Sequence, residues 1–140
     1  MKLTPDITLL PSYVRRHRLA TISVKDGKGG YTNETVPTDE LDKAEVVTSE
    51  VAAGPFKGLH RPILDIDIPA TLIPSSTFGH AHLYINRTLT WPQYEKLLNV
   101  LAEVGIIEQG YADASIDRQH TAVRLPWVRK DTEQYEEIEL

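Results

Sequence analysis

The chain has no cysteine among its 140 residues. This excludes a disulfide framework, a thiolate nucleophile and any zinc site built on cysteine. No apolar run approaches the ~18 residues that a membrane-spanning helix needs. The opening Met1-Lys2-Leu3-Thr4-Pro5-Asp6 lacks the apolar core and cleavage site of a signal peptide. An excess of positive charge is missing too: the net charge is −5. Generic attraction to nucleic acid or to an anionic membrane is therefore not expected. Internal repeats, low-complexity tracts and the strained serine elbow of a hydrolase triad are all absent. Lack of cysteine fits a reducing compartment, and a cytoplasmic setting is the expectation.

What is present is an ordinary globular composition, 41% hydrophobic and 25% charged. That is enough for one domain with a core that needs no staples. Charge is uneven along the chain. Arg15, Arg16, His17 and Arg18 form a basic cluster, read as a solvated face with His17 at the surface. Glu133, Glu136, Glu137 and Glu139 form an acidic tail. The expected organisation is one domain over residues 1–130 and a flexible tail over 131–140.

The stretch from His60 to Asn86 organises the rest. Ile63-Leu64-Asp65-Ile66-Asp67-Ile68 alternates with period two, as does His80-Ala81-His82-Leu83-Tyr84-Ile85. Paired as antiparallel strands, they would put Leu64, Ile66, Ile68, Ala81, Leu83 and Ile85 on a core face and Asp65, Asp67, His80, His82 and Tyr84 on the other. Pro69 cannot donate to a ladder and favours ending the first strand early. The preferred register then sets Asp67 opposite His80 and Asp65 opposite His82, with a long loop between. A tight turn at Pro74–Thr77 would instead slide the histidines toward Ala70 and away from the acids.

Elsewhere, Leu19–Val24 and Tyr31–Val36 read as a hairpin about the turn Lys25–Gly30, which lacks P-loop spacing. Val46–Val51 reads as a strand. Thr90 is a natural N-cap with Gln93 as its capping-box partner. Tyr94, Leu97, Leu98, Leu101 and Val104 keep helical spacing, and Gly105 ends the helix. A short helix over Ala112–Arg118 and a last strand over Thr121–Leu125 follow. The expected fold class is α+β, a two-layer and mainly antiparallel sheet packed by one main helix at about residues 91–104.

Two acids and two histidines on adjacent strands suit a divalent ion. Asp65, Asp67, His80 and His82 are the candidate metal ligands, His60 could add a nitrogen, and magnesium or manganese would be the cofactor. Ser75, Ser76 and Thr77, with Arg124 from the last strand, are the candidate phosphate-binding residues. The plainer alternatives are solvent-facing strand residues and an ordinary hairpin loop. His82-Leu83-Tyr84 and His120-Thr121-Ala122 both lack the third-position hydroxyl of the two-histidine phosphoesterases.

Asp65-Ile66-Asp67 followed by Ser75-Ser76-Thr77-Phe78-Gly79-His80-Ala81-His82 resembles the first two motifs of the archaeo-eukaryotic primase superfamily. The resemblance covers about residues 60–105. It implies that Asp65 and Asp67 hold magnesium or manganese and that His80 or His82 contacts a nucleotide phosphate. The spacing between the motifs is shorter than in that superfamily. Its third acidic motif has no counterpart, since Asp113 and Asp117 fall in an expected helix. In general texture the chain also resembles small uncharacterised proteins encoded by actinobacterial phages, which implies a host cytoplasm and a host-protein partner.

The functional expectation is therefore a small nucleotide- or phosphate-binding protein, metal-dependent if the acids and histidines meet. The alternative is a non-enzymatic accessory or interaction protein that binds a host protein or sequesters a ligand. Its surface would include Trp127, Tyr135 or the acidic tail, and it would show an exposed apolar patch away from the polar face.

Overall fold

Strand β1 (His17–Ser23) lies between β2 (Glu34–Thr38) and β3 (Val46–Val51), antiparallel to both, in a computed structural model that describes residues 3–23 and 34–129. The expected turn Lys25–Gly30, the start of the Tyr31–Val36 arm and the acidic tail lie outside the described residues. Two compact units divide the chain, Met1–Asp65 and Ile66–Leu140.

In the first unit, the β-branched and apolar residues of β1 explain its central place. Ala20 pairs with Pro37 on one side and Val46 on the other. Pro37 has no N–H to give, which an edge strand such as β2 tolerates. Val14, Ala20 and Val51 are buried together with His17. Two short 3-10 turns precede β1. Asp6 caps a 3-10 turn at Ile7–Leu9 by accepting from the Thr8 N–H, and a second such turn at Ser12–Val14 buries Val14.

After β3 the chain folds back on itself. Gly54, at φ +86°, and Gly58, at φ +87°, take left-handed conformations that other residues resist. The Val51 N–H then donates to the Leu59 carbonyl at 2.9 Å and the Arg61 N–H to the Ser49 carbonyl at 3.0 Å. A bridge joins Glu50 to His60, so residues 59–61 run along the outer edge of β3.

The second unit holds a separate two-stranded sheet, β4 (Ala70–Pro74) against β5 (Ala81–Ile85), and two helices. Helix α1 spans Trp91–Glu103 and carries the full capping box: the Thr90 hydroxyl accepts from the Gln93 N–H, and the Gln93 side chain accepts from the Thr90 N–H. Gly105, at φ +82°, supplies the left-handed stop. Helix α2 runs over Gln109–Arg118, longer than its sequence signal, and ends at Gln119 in the left-handed region. The most extensive contacts of α1 are with α2, where Leu98 is buried on one helix and Ala112 and Ser115 on the other. Small residues on α2 let the helices approach closely. Tyr94 tethers the following segment through its hydroxyl, 2.8 Å from the Thr121 hydroxyl.

The fold class is α+β with antiparallel sheets throughout. Three expectations need correcting. The strands form two sheets rather than one. Residues 121–125 are not a strand, so Arg124 does not sit on a ladder. Residues 63–68 are not a strand either: Pro62 and Pro69 bracket them, each removing a donor, and the ladder starts only at Ala70.

Candidate functional site

The hairpin β4–β5 settles the register. Ala70 pairs with Ile85, Leu72 with Leu83, Ile73 with His82 and Pro74 with Ala81. The Asp67–His80 and Asp65–His82 pairs expected from the sequence are not made. The loop explains why: Ser75 donates its N–H to the His80 carbonyl, and His80 its N–H to the Thr77 carbonyl, both at 3.0 Å. Gly79, at φ +79°, completes the reversal. A short loop closes at less entropic cost than the long one.

The candidate ligands distribute accordingly. Asp65 ends the first unit and is exposed. Asp67 is exposed in the bend before β4, His80 is exposed in the turn, and His82 is half-buried opposite Ile73. Among the described residues, no group of three or more His, Asp or Glu side chains is assembled to hold a metal ion. The Ser75 hydroxyl is occupied in building the turn: it accepts from the Thr77 N–H at 3.2 Å and donates to the Thr77 carbonyl at 3.3 Å. Ser76 is exposed, Thr77 is half-buried, and Arg124 is exposed.

The same ladder produces a feature the sequence placed the other way round. The Ser75–His80 and Asn86–Pro69 backbone bonds fix which pairs exchange hydrogen bonds. Pairs 71/84 and 73/82 do, and 70/85, 72/83 and 74/81 do not. Residues of the second kind turn their N–H and C=O groups to the open edges, and their side chains share one face. That face is Ala70, Leu72, Pro74, Ala81, Leu83 and Ile85, all exposed, with Leu72 at 67% and Leu83 at 59%. What reads as a core face is a solvent face.

A second cluster lies in the first unit, around His17. Its side chain is only 3% exposed, not the surface residue expected. Period-two alternation from Ala20 would bury Arg18 instead. The register between β1 and β3 shifts between His17 and Leu19, and that irregularity turns His17 inward. Its Nδ1 lies 2.8 Å from the Thr48 carbonyl oxygen. A carbonyl only accepts, so Nδ1 carries the hydrogen, and the Nε2 lone pair faces Arg61 Nη1 at 3.4 Å.

Arg61 also lies over the Phe56 ring, 5.7 Å from its centroid. His60 is oriented through Nδ1 by the Ser49 hydroxyl at 2.9 Å. His60 and Arg61, with Val51, Phe56 and Leu59, line an open depression of about 210 Å³. Glu50 is paired with Arg18 at 3.5 Å. The basic cluster 15–18 was visible in the sequence; its junction with 56–61 was not, because no short-range pattern links the two.

Searches against protein-family models, curated proteins and solved structures found no match to this chain. No helix among those described is long and apolar enough to cross a membrane.

Proposed function

We propose that this protein is a non-enzymatic interaction module, which binds an extended segment of another polypeptide along β5. The single observation carrying this reading is the exposed apolar face of β4–β5, whose residues also direct their backbone groups to the sheet's open edges. A two-stranded hairpin is marginal alone and gains from a third strand. An added strand would satisfy edge N–H and C=O groups and lay its apolar residues beside Leu83. β5 is the better edge: β4 ends in Pro74, which has no donor, while β5 contains no proline. The net charge of −5 opposes self-association and favours a different chain as partner. A host protein met by a phage-encoded chain is one such partner.

The test is selection of random displayed peptides on the immobilised protein, wild type against Leu83→Glu. Enriched peptides with alternating apolar residues, lost in Leu83→Glu while circular dichroism is unchanged, would support strand addition. Equal recovery on both proteins, or no enrichment, would overturn it. A dimer by ultracentrifugation that Leu83→Glu dissolves would make a second copy the occupant instead.

A further inference from the structure

We infer that the depression beside β3 in the first unit is a binding site for a small phosphate monoester carrying a flat apolar group. This is independent of the strand-addition reading and uses none of its residues. The argument starts from where charge is left over. Arg61 is held in place by the buried His17 at one end and by the Phe56 ring beneath it. His17 is itself fixed by the Thr48 carbonyl, so the guanidinium is positioned through two successive contacts rather than waving in solvent. Among the described residues Arg61 has no carboxylate partner; Glu50, the acid of the neighbouring strand, is already paired with Arg18. One guanidinium N–H faces His17, and the others remain to form the forked bonds that phosphate oxygens accept.

His60 adds a second group of the same kind. Ser49 engages its Nδ1, the residue is exposed, and Nε2 has no hydrogen-bond partner among the described residues. Lys57 comes from the same loop, and its N–H closes that loop on the Gly54 carbonyl at 3.2 Å. Arg16 approaches this loop as well: a Cβ on Gly54 would lie 3.1 Å from its Nη1. A guanidinium with several donors left over, beside an imidazole nitrogen on the same depression, suits the several oxygens of a phosphate. The walls favour an apolar body next to it, since Val51, Phe56 and Leu59 line the same depression. At about 210 Å³ the space suits a phosphate with one ring and is smaller than a drug-sized pocket.

The experiment is titration of the full-length protein with inorganic phosphate, phenyl phosphate and phenol, followed by backbone amide NMR shifts. Saturable shifts centred on Leu59, His60 and Arg61 are expected for both phosphates, tighter for phenyl phosphate and absent for phenol. Arg61→Gln should weaken phenyl phosphate at least tenfold, and His60→Gln several-fold, while Arg124→Gln leaves it unchanged. Should Arg61→Gln fail to fold, the exposed His60→Gln decides alone. The assignment is overturned if neither phosphate gives saturable shifts, if the shifts centre elsewhere, or if the Arg61 and His60 variants bind as wild type does.

Discussion

His17 donates through Nδ1 to the Thr48 carbonyl oxygen at 2.8 Å, joining residues 31 positions apart and fixing the start of β1 against β3. This contact organises the first unit: the same imidazole holds Arg61, which carries the returning segment. Replacing His17 with leucine leaves a half-buried carbonyl without its donor. Such losses cost about 1–3 kcal/mol. Urea unfolding should show that decrease, and Arg18→Leu, on the more exposed side of the strand, a smaller one.

Gly54 and Gly58 separate two effects. Both have positive φ, but a Cβ at Gly54 would also meet the Arg16 guanidinium at 3.1 Å, while Gly58 faces open space. Left-handed backbone costs a non-glycine residue roughly 1–2 kcal/mol. Gly58→Ala should lose about that much by urea unfolding. Gly54→Ala should lose as much and also displace Arg16, which its side-chain NMR signals would report.

The hairpin register can be read by cross-linking, which the absence of native cysteine makes clean. Leu72 and Leu83 are a non-hydrogen-bonded pair, the kind in which side chains lie closest. Leu72→Cys with Leu83→Cys should therefore oxidise to an intramolecular disulfide, seen by mass spectrometry. Asp67→Cys with His80→Cys should not, since the two positions are not register partners.

Ser115 is fully buried in α2, and its hydroxyl has no hydrogen-bond partner among the described residues. A buried polar group left unmade is a net cost. Ser115→Ala should leave stability unchanged or raise it by up to about 1 kcal/mol, read from the denaturant midpoint. Ser115→Leu should instead force α1 and α2 apart and destabilise them.

The Asp6 carboxyl is held below its ordinary value by the Thr8 hydroxyl first, then by the Thr8 N–H and the charge of Arg15. A depressed carboxylate stabilises the fold above its unfolded value, and that contribution is lost as pH falls through the lowered one. NMR titration should show Asp6 ionising at lower pH than an unperturbed aspartate. Thr8→Val should move it back upward.

Much of this was legible locally. The capping box of Thr90 and Gln93 and the stop at Gly105 depend on neighbours within a few residues, and each forms as read; the apolar run Val46–Val51 also forms its strand, although its ladder partner β1 is distant in sequence. The α+β class followed from the same signals. The candidate site was less accessible. Alternation marked residues 80–85 as a strand but left open which residues face across it. Proline spacing marked the ends of 63–68 without revealing that no strand forms between them.

The sequence by itself determined the elements whose hydrogen bonds close within a turn or a cap. Tertiary structure decided the rest. A change in register costs little locally yet replaces every cross-strand partner, and a one-residue slip also exchanges every side chain between faces; only the closed Ser75–His80 loop selects one register. Likewise His17 turns inward because β3 shifts register beside it, a fact carried by residues 47–51 and invisible in the run of arginines around it.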